Sequence, residues 1–284
     1  MTMLAGQGLR EQAAGQAARL RARPARPSVA TLALSVLLGV VVLVALAGPL
    51  MAPHSESEVV ALPYEGSAGW FGTDYLGRDV LSRILHGGRP IILIPVIATA
   101  LSTLVGAVLG VAAAALRRDD VIMRAIDIFA VIPAILVALV LFHRFGAQAW
   151  VLTLAVVISS IPFTTRFARS AAYPILSSGY IEQARMIGEP LPAILVRDVL
   201  PNLVRPVLAD AGLRFIGAIY LVAAAGFLGF GPPPPSTDWG SMISENIGGA
   251  GLNPWGVIAP SLMVLLLTIP TNLLADRFAR RVAG

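Results

Sequence analysis

The chain contains no lysine; all 21 of its basic residues are arginine. A Walker A phosphate loop sets a lysine on the nucleotide phosphates, so none is encoded here, and lysine Schiff-base chemistry is excluded with it. Work driven by ATP must then draw on hydrolysis in another subunit. Cysteine is also absent, which removes disulfides, thiolate nucleophiles and thiolate metal sites. Charged residues make up only 13% of the chain, against about 25% in a typical soluble domain. His54, His86 and His143 lack metal-ligand spacing. No G-x-S-x-G elbow or membrane-depth Ser/His pair supplies a nucleophile. The sequence points away from covalent catalysis.

What is present is apolar length. Hydrophobic residues make up 56% of the 284, and mean hydropathy is +0.78. A helix needs about 20 apolar residues to cross roughly 30 Å of hydrocarbon. Six runs qualify, at 29–51, 91–116, 121–142, 147–163, 207–230 and 254–275. The fourth is the shortest and is closed by Pro162. An all-α membrane protein with six transmembrane helices is expected. Residues 1–28 form a basic cytoplasmic arm, 29–90 the first span and an extracytoplasmic loop, and 91–284 a core of five spans.

The arginines orient the chain. With both termini inside, sixteen of them fall on inner segments and only Arg78, Arg83, Arg89 and Arg144 on outer ones. Cytoplasmic loops favour basic residues, so an N-in, C-in topology follows. The net charge of +5 is scattered among apolar runs rather than gathered on a nucleic-acid face. "ALA" at Ala45–Ala47 looks like a signal-peptide cleavage site. The apolar run is longer than a signal core and a long basic arm precedes it, so an anchor is expected.

Several local patterns carry structural expectations. In "FGTDYLGRDVLSRILHGG", Leu81, Ile84 and Leu85 share one helical face, which predicts a short amphipathic helix on the outer surface, ended by Gly87 and Gly88. Ser102, Gly106, Gly110 and Ala114 recur every four residues, and "AAAGFLG" closes the fifth span; both read as helix-packing surfaces. Whether the first packs within the chain or against another subunit stays open. Asp127 has Arg124 at i−3, and Asp210 has Arg214 at i+4; each pair is expected to neutralise itself rather than relay protons. Pro232 to Pro235 predict a stiff polyproline II segment, with Trp239 as an anchor at the lipid headgroups.

Between the fourth and fifth spans lies "SSGYIEQARMIGEPLPAILVRDVLPN". A helix is expected after Ser177 or Ser178, with Tyr180, Ala184 and Ile187 on its apolar, membrane-facing side and Glu182, Arg185 and Glu189 on the other. Glu182 suits the first turn, and Gly188 permits the left-handed residue that ends a helix, Pro190 following. A second short helix over 191–200 is expected to stop at Pro201.

Glu182, Ala184, Gly188, Leu200 and Pro201 resemble in spacing the EAA loop of bacterial ABC-importer permeases, with Gln183 and Asp198 departing from its pattern. "FGTDYLGRDVLSRILHGG", "AAAGFLGFGPPPPSTDWGSMI" and "NLLADRFARR" are similar to stretches of the dipeptide/oligopeptide/nickel permeases of C-subunit type. The likeness runs from residue 29 to 281. It implies a type I ABC-importer permease fold with a cytoplasmic coupling-helix loop, in the bacterial plasma membrane. It also implies the function of a permease subunit that forms half of a pathway for dipeptides or oligopeptides.

The implied partners are a second, homologous permease, two cytoplasmic ATPase subunits and an extracytoplasmic substrate-binding protein. This chain would hold no cofactor, ATP and Mg residing on the ATPases. Coupling to them would fall to Glu182, Ala184, Arg185, Gly188, Leu200 and Pro201, and docking of the binding protein to Pro232, Pro233, Pro234, Pro235 and Trp239. Gly106 and Gly110 would pack helices. The alternatives are a nickel, glutathione or other small-solute permease of the same family or, in another class, a secondary transporter with Pro133 as its candidate kink. No polar cluster names the solute.

Overall fold

The computed structural model describes residues 28–116, 119–233 and 235–283. The basic arm at 1–27, Arg117, Arg118 and Pro234 lie outside the described residues. Among the described residues there are ten α-helices: α1 Val29–Ala47, α2 Val80–Leu116, α3 Asp119–Val131, α4 Ala134–Phe145, α5 Ala149–Leu176, α6 Gly179–Met186, α7 Leu191–Ile194, α8 Leu200–Ala225, α9 Trp239–Asn246 and α10 Trp255–Ala283. Among the described residues, five helical runs are long and apolar enough to cross a membrane, or six if α3 and α4 count as one bent span. One end of the bundle carries residues 48–79 and 231–254, the capped end. The other carries α6 and α7, the loop end.

Helices in lipid gain little from the hydrophobic effect, so close van der Waals contact must hold them. Small residues provide it between α2 and α5. A Cβ on Gly106 would lie 2.7 Å from Thr164 Cβ, and one on Gly110 2.5 Å from the Thr165 carbonyl and 2.8 Å from Ala168 Cβ. The Ser102–Gly106–Gly110–Ala114 face is therefore spent inside the chain. The choice left open by its spacing resolves to internal packing.

Two apolar cores result. One, toward the capped end, gathers Val41, Ala45, Ile91, Val156, Ile219, Trp239 and Met242 among others. The second, at the loop end, gathers Val111, Ala168, Ala172, Ile181, Ile194, Val199 and Leu203. Phe142 of α4 stacks on Phe230 beyond α8 with ring centroids 5.0 Å apart, tying the bent span to the first core. Much of the remaining apolar surface is exposed, including Leu32, Val36, Leu43, Val108 and Leu265, as hydrocarbon requires.

The structure corrects three expectations. The segment before the second span is not a surface helix. It is the first two turns of α2, which runs unbroken for 37 residues. Asp79 caps it, its Oδ2 accepting the Ser82 N–H at 2.9 Å. Gly87 and Gly88 do not end it, because they serve as a flat contact: a Cβ on Gly88 would meet Ala45 of α1 at 2.5 Å and the Trp239 ring at 2.9 Å. The division at residue 90 thus falls inside a helix.

Pro162 does not close the fourth span either. It lies buried inside α5, a 28-residue helix that also contains Pro174. Transmembrane helices tolerate proline where neighbouring groups re-satisfy the backbone. Pro133, in contrast, does break its helix. It caps α4 at φ −57° and ψ 132°, and α3 and α4 meet there at 82°.

Pro201 does not stop the second loop helix. Residues Leu195–Val199 form a π turn, in which the Leu200 N–H reaches back to the Leu195 carbonyl. The wider turn accommodates a ring that has no N–H to give. The Asp198 carbonyl instead accepts from the Asn202 side chain at 2.6 Å. Helix then continues from Leu191 to Leu228 and breaks at Gly229, whose φ is +84°.

Candidate functional site

The loop end is built around α6. Ser178 precedes it in extended conformation, Glu182 stands in its first turn and Arg185 in its last, a polarity that suits the helix dipole. Gly188 follows at φ +85°. The Glu189 N–H bonds the Ala184 carbonyl at 3.0 Å and the Gly188 N–H the Arg185 carbonyl at 3.1 Å. These are the 6→1 and 5→2 bonds of a Schellman motif, whose C′ residue must be left-handed. No side chain or backbone atom would meet a Cβ on Gly188 within 4 Å. Backbone conformation alone fixes that position. Pro190 then caps α7, and Arg197 reaches back to Glu189 at 3.4 Å.

The inward face of α6 differs from the expected one. Ile181 is fully buried and Ala184 half-buried in the second core, while Tyr180, Met186 and Ile187 point outward, Met186 and Ile187 both more than 70% exposed. Ile181 and not Tyr180 faces the bundle because Ile194 and Leu176 converge there. The result is an exposed apolar ridge flanked by exposed Glu182, Gln183 and Arg185. Leu200 and Pro201 are exposed at the start of α8, on the same end of the molecule.

The capped end is held by ions. Asp74 is fully buried. Its Oδ1 accepts the Leu76 and Arg78 N–H groups at 2.8 and 2.9 Å, and its Oδ2 accepts Arg78 Nε and Arg83 Nη1, both at 2.7 Å. Arg83 Nη2 donates to Thr237 Oγ1 at 2.8 Å and lies 2.9 Å from Glu245. Nearby, Asn246 accepts the Tyr75 N–H at 3.0 Å, and Asn253 donates to the Phe71 and Thr73 carbonyls, both at 2.9 Å. Residues 71–83 and the segment 237–253 therefore form one lid. Asp74, Glu245, Asn246 and Asn253 carry no periodic signal. Only the charged "TDYLGRD" run ahead of an apolar span hints at them.

Within this lid Trp239 is buried and donates from Nε1 to the Ile84 carbonyl at 2.9 Å. Its ring faces the bundle interior and not lipid, because the glycines of α2 leave space for it there. Asp238 caps α9, accepting the Gly240 and Ser241 N–H groups at 2.8 and 3.1 Å. Burial raises the pKa of its carboxyl above the usual aspartate range, the Glu245 charge adding to the shift and the bonds from Ser241 and Gly240 opposing it. Pro232 is half-buried, and Pro233 and Pro235 are exposed on the rim beside it.

In the span region, Asp210 and Arg214 pair at 3.1 Å as their spacing predicts. Asp127 does not pair with Arg124. It crosses to Arg166 of α5, at 2.6 and 3.0 Å from Nη2 and Nε, because the bend at Pro133 leans α3 against that helix. Among the described residues, no group of three or more His, Asp or Glu is placed to hold a metal ion.

Comparison with known proteins gives this geometry a family. Residues 102–284 match the model of the binding-protein-dependent transport system inner membrane component. The chain is 34% identical over 247 residues to the di/tripeptide transport system permease protein DppC of Pseudomonas aeruginosa (strain UCBPP-PA14), covering 83% of this chain and 82% of that protein. It is 32% identical over 245 residues to a putative peptide transport system permease protein of Brucella suis biovar 1 (strain 1330), covering 85% and 83%. It is 31% identical over 251 residues to the probable D,D-dipeptide transport system permease protein DdpC of Escherichia coli (strain K12), covering 87% and 84%. Among solved structures, a chain of the MetNI methionine ABC transporter in an inward-facing conformation superposes with a TM-score of 0.56 at 19% identity, over 70% of this chain and 96% of that one. The family match, the identity to these relatives and the set of apolar helices agree: this chain belongs to the binding-protein-dependent transport system inner membrane components, as a multi-pass bacterial membrane permease.

Proposed function

We propose that the chain is one permease subunit of an ATP-driven importer for dipeptides or oligopeptides. The observation that carries this is the identity of 31–34% over most of the chain to permeases named for peptide, di/tripeptide and D,D-dipeptide transport. A second, homologous permease supplies the other half of the pathway, an extracytoplasmic binding protein delivers the solute, and two cytoplasmic ATPases bind ATP and Mg and drive the cycle. The chain itself needs no cofactor.

In this reading the loop end faces the cytoplasm, with both termini on that side. The ridge of Tyr180, Met186 and Ile187 enters an ATPase groove. Glu182, Arg185, Leu200 and Pro201 lie around the contact, Ala184 seats α6 on the bundle, and Gly188 sets the angle between α6 and α7. The exposed prolines Pro233 and Pro235, with Pro232, form the rim for the binding protein. Trp239 supports that rim from inside. Arginine asymmetry and the ridge geometry support the orientation.

The test is reconstitution of the chain with its neighbouring-gene partners in vesicles. Uptake of a labelled dipeptide should require ATP and loaded binding protein. Uptake of nickel but not peptide under those conditions would replace the substrate while leaving the machinery. Orientation is checked with cysteines placed by Arg185→Cys and Pro233→Cys in this cysteine-free chain. An impermeant thiol reagent on intact cells should label the second and spare the first.

A further inference from the structure

A small cavity of about 160 Å³ opens between α4, α5 and α8, lined by Ala134, Ser159, Ser160, Phe163, Arg214 and Gly217 among others. It lies within the spans and is distinct from the loop end and from the lid. Charges at that depth are costly, and they mark solute paths more often than surfaces do. The self-neutralising pair of Arg214 and Asp210 accounts for part of the site only.

The two partners are unequally placed. Asp210 is 3% exposed, whereas the Arg214 side chain is 29% exposed. Arg214 Nε and Nη2 bond the Asp210 carboxylate at 3.1 to 3.4 Å. Nη1 has no partner among the described residues. The guanidinium does not snorkel away but lies over the Phe163 ring, 5.2 Å from its centroid. A planar guanidinium held by one carboxylate and one ring keeps its remaining N–H groups directed at whatever fills the cavity.

The hydroxyls point the same way. On α5, Thr153 and Thr165 each bond the carbonyl four residues earlier at 2.8 Å, the usual outlet for a hydroxyl in a helix. Ser159 does not. Its Oγ is buried and has no hydrogen-bond partner, as holds for Thr164 Oγ1 on the same helix, but of the two only Ser159 borders the cavity, with Ser160 beside it. Gly217 leaves the cavity open on the α8 side, since a Cβ there would meet nothing within 4 Å. Free guanidinium donors beside two hydroxyls suit one ligand group, a carboxylate.

We infer that this cavity is a carboxylate way-station on the solute path, Arg214 Nη1 donating to the ligand oxygens and Ser160, with Ser159 once its hydroxyl turns into the cavity, completing their shell. Drug-sized pockets run to about 300–1,000 Å³, so the cavity takes one functional group, and the rest of the solute extends across the open face toward the facing permease. Identifying the bearer of the carboxylate as a peptide C-terminus rests on the peptide reading above. The site itself does not. One turn beyond Phe163, Arg166 with Asp127 places a second, 45% exposed guanidinium on α5 nearer the loop end.

The chain lacks cysteine, so Ser160→Cys gives a single reporter in it. The assembled transporter in vesicles is treated with 2-sulfonatoethyl (anionic) or 2-trimethylammonioethyl (cationic) methanethiosulfonate, and the rates at that position are compared. The anionic reagent should be favoured, and combining Asp210→Asn with Arg214→Gln, nearly isosteric and neutral together, should lower the anionic-to-cationic ratio by about tenfold. Arg214→Lys, which keeps the charge and loses the fork, should retain most of the preference. No reaction at Ser160→Cys, or an equal ratio in both backgrounds, overturns the way-station. Millimolar trialanine should slow the labelling and its C-terminal amide should not. Equal slowing by both overturns carboxylate recognition. Slowing by succinate with none by trialanine upholds the site and removes the peptide.

Discussion

Arg83 Nη2 lies 2.9 Å from Glu245 Oε2 while Nη1 of the same guanidinium lies 2.7 Å from Asp74 Oδ2. One side chain, 2% exposed, thereby joins the loop before α2 to α9. Removing one member of such a buried set leaves charges unpaired, which costs about 3–5 kcal/mol. Arg83→Ala should fall at the lower end of that range, since Asp74 keeps Arg78. Glu245→Gln should cost less, because Glu245 is 26% exposed. Thermal unfolding of the detergent-solubilised protein, followed by tryptophan fluorescence, orders the two.

Gly188 holds its φ of +85° with no neighbour within reach of a Cβ. Substitution there acts through the backbone alone. A β-branched side chain in this region costs at least about 1 kcal/mol, whereas asparagine tolerates it. Gly188→Asn should therefore keep ATPase stimulation by loaded binding protein, and Gly188→Val should lose it along with uptake while the spans still insert. Glu182→Ala should be milder than Gly188→Val. Normal transport by Gly188→Val would falsify the coupling role of the bend.

The contact at Gly110 leaves no space for a side chain, as its Cβ would approach the Thr165 carbonyl to 2.5 Å. Overpacking a tight interface costs about 1–3 kcal/mol and sometimes more. Gly110→Leu should lower the unfolding midpoint and the yield of folded protein, with Gly110→Ala intermediate. Gly212→Leu, at a position with open space around it, is the control and should leave both unchanged.

Asp238 predicts a pH dependence. Burial raises its carboxyl pKa in the folded protein. The contribution is therefore fully present below the unfolded value, about 3.9, and is lost as pH rises through the folded one. Asp238→Asn keeps a capping side chain without the titration. The unfolding midpoint of the parent should fall relative to the variant as pH increases from about 4. A difference that is constant with pH would show that Asp238 is not shifted.

How much of this was legible depends on whether a residue's role is local. The apolar runs, the Gly188 turn and the Asp210–Arg214 pair follow from spacing along one helix. Asp127 chose Arg166 over Arg124 because of a bend that brings another helix close, which no periodicity contains. Trp239 reads as an interfacial anchor because tryptophan favours the headgroup level. Its burial depends on Gly87 and Gly88, far away in the chain. Pro162 and Pro201 read as stops because a soluble helix would stop there. In this bundle a π turn before Pro201 and neighbouring helices around Pro162 keep the backbone helical.

The helix from Leu191 to Leu228 has a mechanical corollary. The run from 191 to 228 at about 1.5 Å per residue makes a lever roughly 57 Å long, nearly twice the hydrocarbon thickness. Arg214 lies close to its midpoint. A tilt of about 10° around that fulcrum moves each tip by roughly 5 Å, about one helical turn, in opposite directions. The tip beside α6 and the tip beside the prolines therefore swing oppositely, and the cavity at Arg214 stays almost still between them.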